Sequence, residues 1–195
     1  MSAKLYFYYG AMNGAKTTQL IQNAYNYQER KMLPVVLKPS MDTREGEKPR
    51  VISRIGLEYP AMIVESYNTD AMIAACKDIL ATGVNVVMVD ESQFFSVEQI
   101  RVLEDLVDEH NIPVVCYGLR NSFNNAGFES IDWLLRNADK MVEVKNICFC
   151  GAKATHNLMV VEGKPVKEAD SPVCVGGNTL YHAVCRRHFK RGQFE

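Results

Sequence analysis

The sequence predicts an α/β fold in which a parallel β-sheet carries helices on both faces. Over about the first three quarters of the chain, short β-forming runs alternate with longer segments whose apolar residues recur at helical spacing. One run, residues 84–89, is almost continuously apolar, as expected of a strand buried on both faces of a parallel sheet. Sheets built from strands and crossover helices bind their ligands at the carboxyl ends of the strands.

The first half of this region is predicted to contain strands at residues 5–9, 34–38 and, more weakly, 61–65. Helical spacing of apolar residues predicts helices at residues 17–27 and 69–81. Either Thr69 or Asp70 is the predicted cap of the second helix, since both side chains can accept a hydrogen bond from the first turn. The charged stretch 42–54, which contains glycine and proline, is predicted to be a loop.

The second half is predicted to contain strands at residues 84–89, 112–117 and 140–145. Helices are predicted at residues 97–107 and 130–137. Ser96 and Gln99 form a capping-box pattern at the start of the first of these helices. After Lys145 the helix and strand rhythm gives way to cysteines, glycines and short alternating segments. The sequence therefore predicts a main domain at residues 1–145 and a small second lobe at 146–195.

The composition excludes some classes of protein. With 22 basic and 23 acidic residues the formal net charge is −1, so the overall charge provides no case for nucleic-acid binding. No apolar stretch is long enough to span a membrane, and the amino terminus lacks the layout of a signal peptide. These features predict a cytoplasmic protein without a membrane partner.

A phosphate-binding loop is predicted directly after the first strand. The pattern Gly-x4-Gly-Lys-[Ser/Thr] binds a triphosphate through backbone N–H groups, a helix N-terminus and a lysine, with Mg²⁺ held at the Ser or Thr. Lys16 and Thr17 occupy the last two positions, whereas Ala15 replaces the second glycine. An ordinary strand-turn-helix corner remains the alternative. The loop residues are Gly10, Ala11, Met12, Asn13, Gly14, Ala15, Lys16 and Thr17.

An acidic pair, Asp90 and Glu91, follows the most apolar strand. At a strand end that faces a phosphate loop, one carboxylate can hold Mg²⁺ while the other accepts a proton from the attacking nucleophile. A solvated acidic pair is the alternative. Together with Lys16 and Thr17, the pair favours phosphoryl transfer over mere phosphate binding.

Four residues of the second lobe have the chemistry of a structural zinc site. Cys148 and Cys150 lie close together, and Cys185 and His188 form a Cys-x2-His pair further along. Two such pairs supply the four ligands of a tetrahedral, closed zinc site. Buried cysteines without a metal are the alternative. Cys174 is the weaker candidate because its surroundings predict an extended segment that enters a glycine turn.

Five motifs in order resemble thymidine kinases of the cytosolic, zinc-containing (type II) family. The resemblance covers nearly the whole chain and departs from the family at Ala15 and at the short spacing between Cys148 and Cys150. The motifs are Gly10 to Thr17, Leu37 to Arg44, Asp90 to Phe95, Tyr117 to Arg120, and Gly176 to His188.

The resemblance implies a RecA-like P-loop sheet and a zinc lobe whose lasso loop covers a nucleoside. It implies an ATP-dependent thymidine 5'-kinase that also accepts deoxyuridine and serves nucleotide salvage for DNA synthesis. By motif match, Glu91 is the base, Thr17 and Asp90 hold Mg²⁺, and Asp42 and Arg44 lie near the metal and the transferred phosphate. An ordinary solvated loop is the alternative for the last two. A homotetramer and feedback inhibition by dTTP are further implications.

The resemblance also implies a thymidine pocket of apolar and aromatic groups beside backbone groups of the lasso. Each such side chain is more often part of a core than of a site. Phe123 and Phe128 are the informative ones, because they interrupt a polar loop where a flat base could pack against them. The predicted pocket residues are Met12, Phe94, Leu119, Phe123, Phe128, Cys174, Val175, Gly176, Gly177 and Tyr181.

Two other functions remain open. In a P-loop ATPase, Glu91 would activate water instead of a hydroxyl. In a zinc-ribbon module for nucleic acid, the basic cluster between Arg186 and Arg191 would contact phosphates, although a solvated basic face is the simpler explanation.

Overall fold

The computed structural model describes residues 2–42, 49–167 and 179–195. The helices are α1 (Lys16–Glu29), α2 (Thr69–Leu80), α3 (Val97–Asp108), α4 (Glu129–Asn137) and α5 (Arg186–Arg191), with a 3-10 turn at Ser92–Phe94. The strands are β1 (Leu5–Gly10), β2 (Pro34–Pro39), β3 (Arg50–Ile52), β4 (Glu58–Pro60), β5 (Met62–Val64), β6 (Val86–Val89), β7 (Val114–Leu119), β8 (Lys140–Glu143), β9 (Asn146–Ile147), β10 (Lys153–Ala154), β11 (His156–Val161), β12 (Lys164–Val166) and β13 (Thr179–Val184).

A six-stranded sheet with the order β5-β2-β6-β7-β1-β8 forms the centre of the fold. Every neighbouring pair in it is parallel. All four residues of β6 are buried, because helices or a hairpin cover both faces of the sheet at this point. The predicted α/β class and parallel sheet are therefore confirmed.

The two faces of the sheet are covered differently. Helices α2, α3 and α4 pack on one face against Val87 and Val89, while α1 and the β3–β4 hairpin pack on the other against Val86 and Met88. Full burial of a side chain of this size stabilises the fold by about 1.5–3 kcal/mol. Successive residues of β6 therefore pack alternately into the two hydrophobic layers on either side of the sheet. This explains why every position of the strand is apolar.

Helix caps confirm one prediction and correct another. At the start of α3, Ser96 Oγ accepts a hydrogen bond from the Gln99 N–H at 3.2 Å, and Gln99 Oε1 accepts one from the Ser96 N–H at 3.1 Å. The predicted cap of α2 at Thr69 or Asp70 is wrong, since Asn68 Oδ1 accepts from the Ala71 N–H at 3.1 Å. Asn, Thr and Asp have similar preferences for the N-cap position, so residue type alone does not determine which of Asn68, Thr69 and Asp70 caps the helix.

The predicted loop at residues 42–54 is partly wrong. Its end forms β3, which pairs antiparallel with β4. Val51 and Tyr59 are buried by this pairing and join the core beside α1, and Arg50 Nη1 lies 2.7 Å from Glu58 Oε2. Strand β3 is stabilised by packing against apolar residues of α1, which lie far away in the sequence. The charge, glycine and proline content of residues 42–54 therefore did not indicate a strand.

The last quarter of the chain contains small antiparallel units. Strand β9 pairs with β10, and a three-stranded sheet has the order β12-β11-β13. This region has an apolar cluster of its own, which accords with a second lobe, while its boundary at residue 146 stays a prediction. The cluster contains Cys148, Ala154, Leu158, Val160, Val184 and Cys185.

Within the described ranges, no helix is both long enough and apolar enough to cross a membrane.

Candidate active site

The loop between β1 and α1 has the geometry of an anion-binding turn. Helix α1 begins at Lys16, and its first N–H groups have no carbonyl of the same helix to bond. The buried Lys16 side chain bends back across the loop, where Nζ donates to the Ala11 carbonyl at 2.9 Å. An ammonium group, the first N–H groups of the helix and a helix dipole thus converge on one concave turn, which favours a phosphate group.

Gly10 allows this loop to approach the neighbouring strand. A Cβ atom at Gly10 would lie 2.5 Å from the Val144 carbonyl oxygen, so a larger residue would push the loop away from the end of β8. The Val144 N–H in turn donates to the Tyr9 carbonyl at 2.8 Å. The first glycine of the motif is therefore needed for close packing of backbone against backbone.

Ala15 has the backbone conformation that glycine adopts easily. Its φ is 62° and its ψ is 24°, in the left-handed region. An L-residue pays about 1–2 kcal/mol for this conformation. The departure from the motif therefore leaves the loop in its left-handed turn and adds local strain.

The acidic pair at the end of β6 is buried, so the solvated alternative is wrong. Asp90 is 2% exposed and Glu91 is 8% exposed. Thr17 Oγ1 donates to Asp90 Oδ2 at 3.0 Å, which joins the phosphate loop to the acidic strand end. A hydroxyl and a carboxylate at this separation could hold Mg²⁺, a cation that prefers oxygen ligands.

Glu91 is held in place by its backbone and by a neighbouring amide. Its φ of 47° and ψ of 45° are left-handed, a conformation that costs about 1–3 kcal/mol and is concentrated at functional sites. Gln93 Nε2 donates to Glu91 Oε2, and Gln93 Oε1 accepts from the Leu119 N–H at 3.0 Å. Gln93 was not predicted as a site residue, although it stands two positions after Glu91.

Asp42 is buried beside a lysine. Lys38, which is 1% exposed, has its Nζ 3.7 Å from Asp42 Oδ2 and donates to the Arg50 carbonyl at 3.5 Å. The alternative of a solvated loop is therefore wrong for Asp42. The sequence analysis did not predict Lys38 as a site residue. A single lysine in the otherwise apolar strand β2 could have indicated that it has a buried partner. Arg44 lies outside the described residues.

The predicted nucleoside residues divide into two groups. Leu119 and Phe123 are buried at and beyond the end of β7, and the Phe123 ring lies 6.4 Å from that of Tyr181 on β13. Asn13 Nδ2 donates to the Tyr181 carbonyl at 3.5 Å, so the phosphate loop borders this group. Phe128 packs against the main core but is only partly buried, so part of its side chain stays accessible.

Phe94 is half buried at the end of the 3-10 turn that follows Glu91, and Met12 is half buried within the phosphate loop. The predicted lasso residues lie outside the described part of the chain. They are Cys174, Val175, Gly176 and Gly177.

The predicted zinc ligands come together in the second lobe. The ligand atoms of Cys148, Cys150, Cys185 and His188 all lie within 4.8 Å of one another. His188 Nδ1 is 3.2 Å from Cys148 Sγ and 3.4 Å from Cys185 Sγ. Tetrahedral zinc, with Zn–S of about 2.3 Å and Zn–N of about 2.0 Å, requires S···N distances of about 3.5 Å. The donor set therefore fits a closed zinc site.

Neighbouring groups favour metal binding by the Cys/His cluster through the pKa of one thiol and the orientation of the imidazole. The backbone N–H of His188 lowers the pKa of the Cys185 thiol, which favours the thiolate that binds metal. The Phe149 ring stacks on the His188 imidazole with ring centroids 4.4 Å apart, which orients the buried histidine. The short spacing between Cys148 and Cys150 therefore still allows both sulfur atoms to lie in the same cluster.

The fold and this site together define a nucleoside triphosphate-binding protein of the P-loop class. The chain belongs to the thymidine kinase family, because the family model described as thymidine kinase matches residues 3–189. It is therefore a kinase.

Curated bacterial relatives agree with this assignment. A thymidine kinase of Shewanella oneidensis is 47% identical over 193 residues, which cover 96% of this chain and 97% of that protein. A thymidine kinase of Coxiella burnetii is 44% identical over 195 residues, which cover 98% of this chain and 97% of that protein. One from Vibrio vulnificus is 45% identical over 190 residues, which cover 96% and 97% of the two chains.

The strain at Ala15 leads to a stability prediction. We expect Ala15→Gly to raise the free energy of unfolding by up to about 1 kcal/mol, because relief of left-handed strain exceeds the added entropy of the unfolded chain. ADP affinity should stay unchanged, since the loop keeps its turn. Urea denaturation and calorimetric titration measure these two quantities.

The matched control is Ala81→Gly, at a right-handed residue with φ −69° and ψ −14°. It should lose about 0.5–1 kcal/mol, because it relieves no strain. If both substitutions destabilise the protein equally, Ala15 is not strained.

The Cys/His cluster leads to a metal prediction. The purified protein should contain close to one zinc per chain, and Cys185→Ser should lose it because serine is a poor zinc ligand. Elemental analysis by mass spectrometry measures the metal content. Cys76→Ser is the control, since Cys76 is also buried but lies in the main core. Zinc absent from the parent protein, or retained in Cys185→Ser, would refute the site.

Proposed function

We propose that this chain transfers the γ-phosphate of ATP to the 5'-hydroxyl of thymidine to give dTMP, and that it also accepts deoxyuridine. Family membership and the named bacterial relatives support thymidine as the acceptor. The observation that carries the chemistry is the hydrogen bond from Thr17 Oγ1 to the buried Asp90 carboxylate, with the buried Glu91 directly after it. Such an enzyme serves nucleotide salvage for DNA synthesis.

The phosphate loop, residues 10–17, binds and orients the ATP phosphates. Backbone N–H groups of the loop and Lys16 donate to phosphate oxygens, in keeping with a first turn of α1 whose N–H groups have no carbonyl partner within the helix. Thr17 and Asp90 would hold the Mg²⁺ that accompanies ATP, which would supply positive charge to neutralise the phosphates. Phosphoryl transfer depends mainly on positioning and charge stabilisation, so a loop fixed by packing suits the task.

Glu91 accepts the proton of the 5'-hydroxyl as the oxygen attacks the γ-phosphate. Its left-handed backbone and the hydrogen bond from Gln93 restrict the carboxylate to one orientation. General-base catalysis of this kind contributes about 10²–10⁴-fold to a rate. Asp42, buried beside Lys38, and Arg44 act near the metal and the transferred phosphate.

Thymidine binds between the loop after β7 and the second lobe. Apolar side chains hold the base, while backbone groups of Cys174, Val175, Gly176 and Gly177 read its edge and leave little room for a purine. The lasso they belong to excludes water and so suppresses idle ATP hydrolysis. The side chains are Met12, Phe94, Leu119, Phe123, Phe128 and Tyr181.

The second lobe, residues 146–195, holds a structural zinc through Cys148, Cys150, Cys185 and His188. Four protein ligands would leave no open position on the metal, so these residues would use zinc to stabilise the lobe and not for chemistry. From the family resemblance we further infer a cytoplasmic homotetramer that dTTP inhibits.

The decisive test is ADP release with ATP and Mg²⁺ across a panel of nucleosides. We expect turnover with thymidine and deoxyuridine, little with purine nucleosides, and almost none without an acceptor. The reaction products are identified by chromatography. Equal ADP release with and without a nucleoside would favour an ATPase, and salt-sensitive DNA binding without kinase activity would favour a nucleic-acid module.

The role of Glu91 leads to a separate prediction. Glu91→Gln should lower kcat by about 10²–10⁴-fold, because the amide cannot accept the proton, while ADP affinity stays within about twofold. Steady-state kinetics and calorimetry measure the two effects. The control is Glu98→Gln, the same change at an exposed residue of α3, which should behave like the parent. Near-normal turnover of Glu91→Gln would remove Glu91 from the role of base.

A further inference from the structure

Asn157 is a fully buried amide in a strand that continues with apolar residues. It lies in β11, is 0% exposed, and is followed by the buried residues Leu158, Met159 and Val160. A buried amide is costly unless both its donor and its acceptor are paired. Its presence in this strand therefore calls for partners on another element.

The partners of Asn157 belong to both halves of the site. The Met12 N–H in the phosphate loop donates to Asn157 Oδ1 at 2.7 Å, and Asn157 Nδ2 donates to the Asn121 carbonyl at 2.8 Å. Asn121 begins the loop that leads to Phe123. One partner is a donor and the other an acceptor, so the amide can bond both in one orientation only. The side chain thereby sets the distance between the two loops.

A second asparagine engages the same loop residue. Asn146 Nδ2 donates to the Met12 carbonyl at 2.8 Å, while Asn146 Oδ1 accepts from the Ile147 N–H at 2.8 Å. The N–H and the carbonyl of Met12 are thus both bonded by asparagines that follow β8. With the Met12 N–H engaged in this way, it is not available to donate to a phosphate oxygen.

We propose that Asn157 is a positioning residue that holds the phosphate loop in register with the loop of Phe123, with Asn146 fixing the same peptide from the other side. This proposal rests on the proposed function, because it makes one side chain responsible for the relative placement of ATP and nucleoside. Misplacement of reacting groups by about 1 Å can lower a rate by about 10²-fold. Asn157 therefore affects catalysis without touching either substrate.

The experiment compares Asn157→Leu, which removes both hydrogen bonds, with Asn157→Asp, which keeps the acceptor for Met12 and loses the donor to Asn121. The readouts are the Kd for Mg-ADP by calorimetry, the KM values for ATP and thymidine, and zinc content. The Mg-ADP titration needs no thymidine, so it tests the hold on the phosphate loop even if the nucleoside panel gives no kinase activity.

We expect Asn157→Leu to raise the Kd for Mg-ADP about tenfold, as loss of a buried hydrogen bond predicts. Asn157→Asp should change this Kd less but raise the KM for thymidine about tenfold, because its second oxygen faces the Asn121 carbonyl. This split between the two ligands is a result that a merely structural role would not produce. Unchanged zinc content shows that the lobe is intact.

The control is Gln99→Leu, at another fully buried amide. Gln99 Nε2 donates to the carbonyls of Glu65 and Asn68 and joins α3 to the segment before α2. This variant should lose stability but keep both ligand affinities. If Asn157→Leu binds Mg-ADP with the same Kd as the parent protein, the proposal that Asn157 positions the phosphate loop is wrong. If Asn157→Leu does not fold, Asn157→Asp decides, and a thymidine KM no higher than in Gln99→Leu overturns the proposal.

Discussion

The whole site depends on the parallel register of the central strands. Gly10 of β1 lies opposite Leu119 of β7, and Val89 of β6 lies opposite Cys116 of β7 and Leu37 of β2. Because neighbouring strands run in the same direction, the residues that follow each strand emerge at one edge. The phosphate loop, the acidic pair and the aromatic loop meet there although long stretches of sequence separate them.

At this edge the protein buries polar groups and pairs them with one another. Asp90 accepts from Thr17, Glu91 from Gln93, and Lys16 donates to a carbonyl of its own loop. In surroundings of low dielectric an unpaired member of such a network would be costly, whereas a paired one is rigid. The pairing therefore makes a preorganised site possible, and the left-handed conformations of Ala15 and Glu91 are the strain that this arrangement retains.

The second lobe is attached to the same network and is more than an appendage. Its own apolar cluster and its Cys/His group organise it internally. Asn146 and Asn157 then bond the backbone of Met12, so the lobe and the phosphate loop hold each other in place. Two direct hydrogen bonds thus connect the second lobe to the phosphate loop at the edge of the sheet.

The sequence by itself determined the features that are local in origin. Periodicity predicted the six strands of the central sheet and helices α1 to α4. The spacing of Gly10, Lys16 and Thr17 predicted a phosphate loop, and residue type predicted four metal ligands that the structure brings together. Helix and strand periodicities are visible in the sequence because they repeat every few residues. The zinc site is visible because Cys and His are the residue types that bind this metal.

Only the tertiary structure decided how distant groups are paired. It selected Asn68 as the cap of α2, turned residues 50–52 into a strand, and gave Lys38, Gln93 and Asn157 their buried partners. Such polar residues look ordinary in a sequence, because whether they are buried depends on segments that pack from elsewhere. The same reason separates Phe123, which borders the second lobe, from Phe128, which packs against the main core.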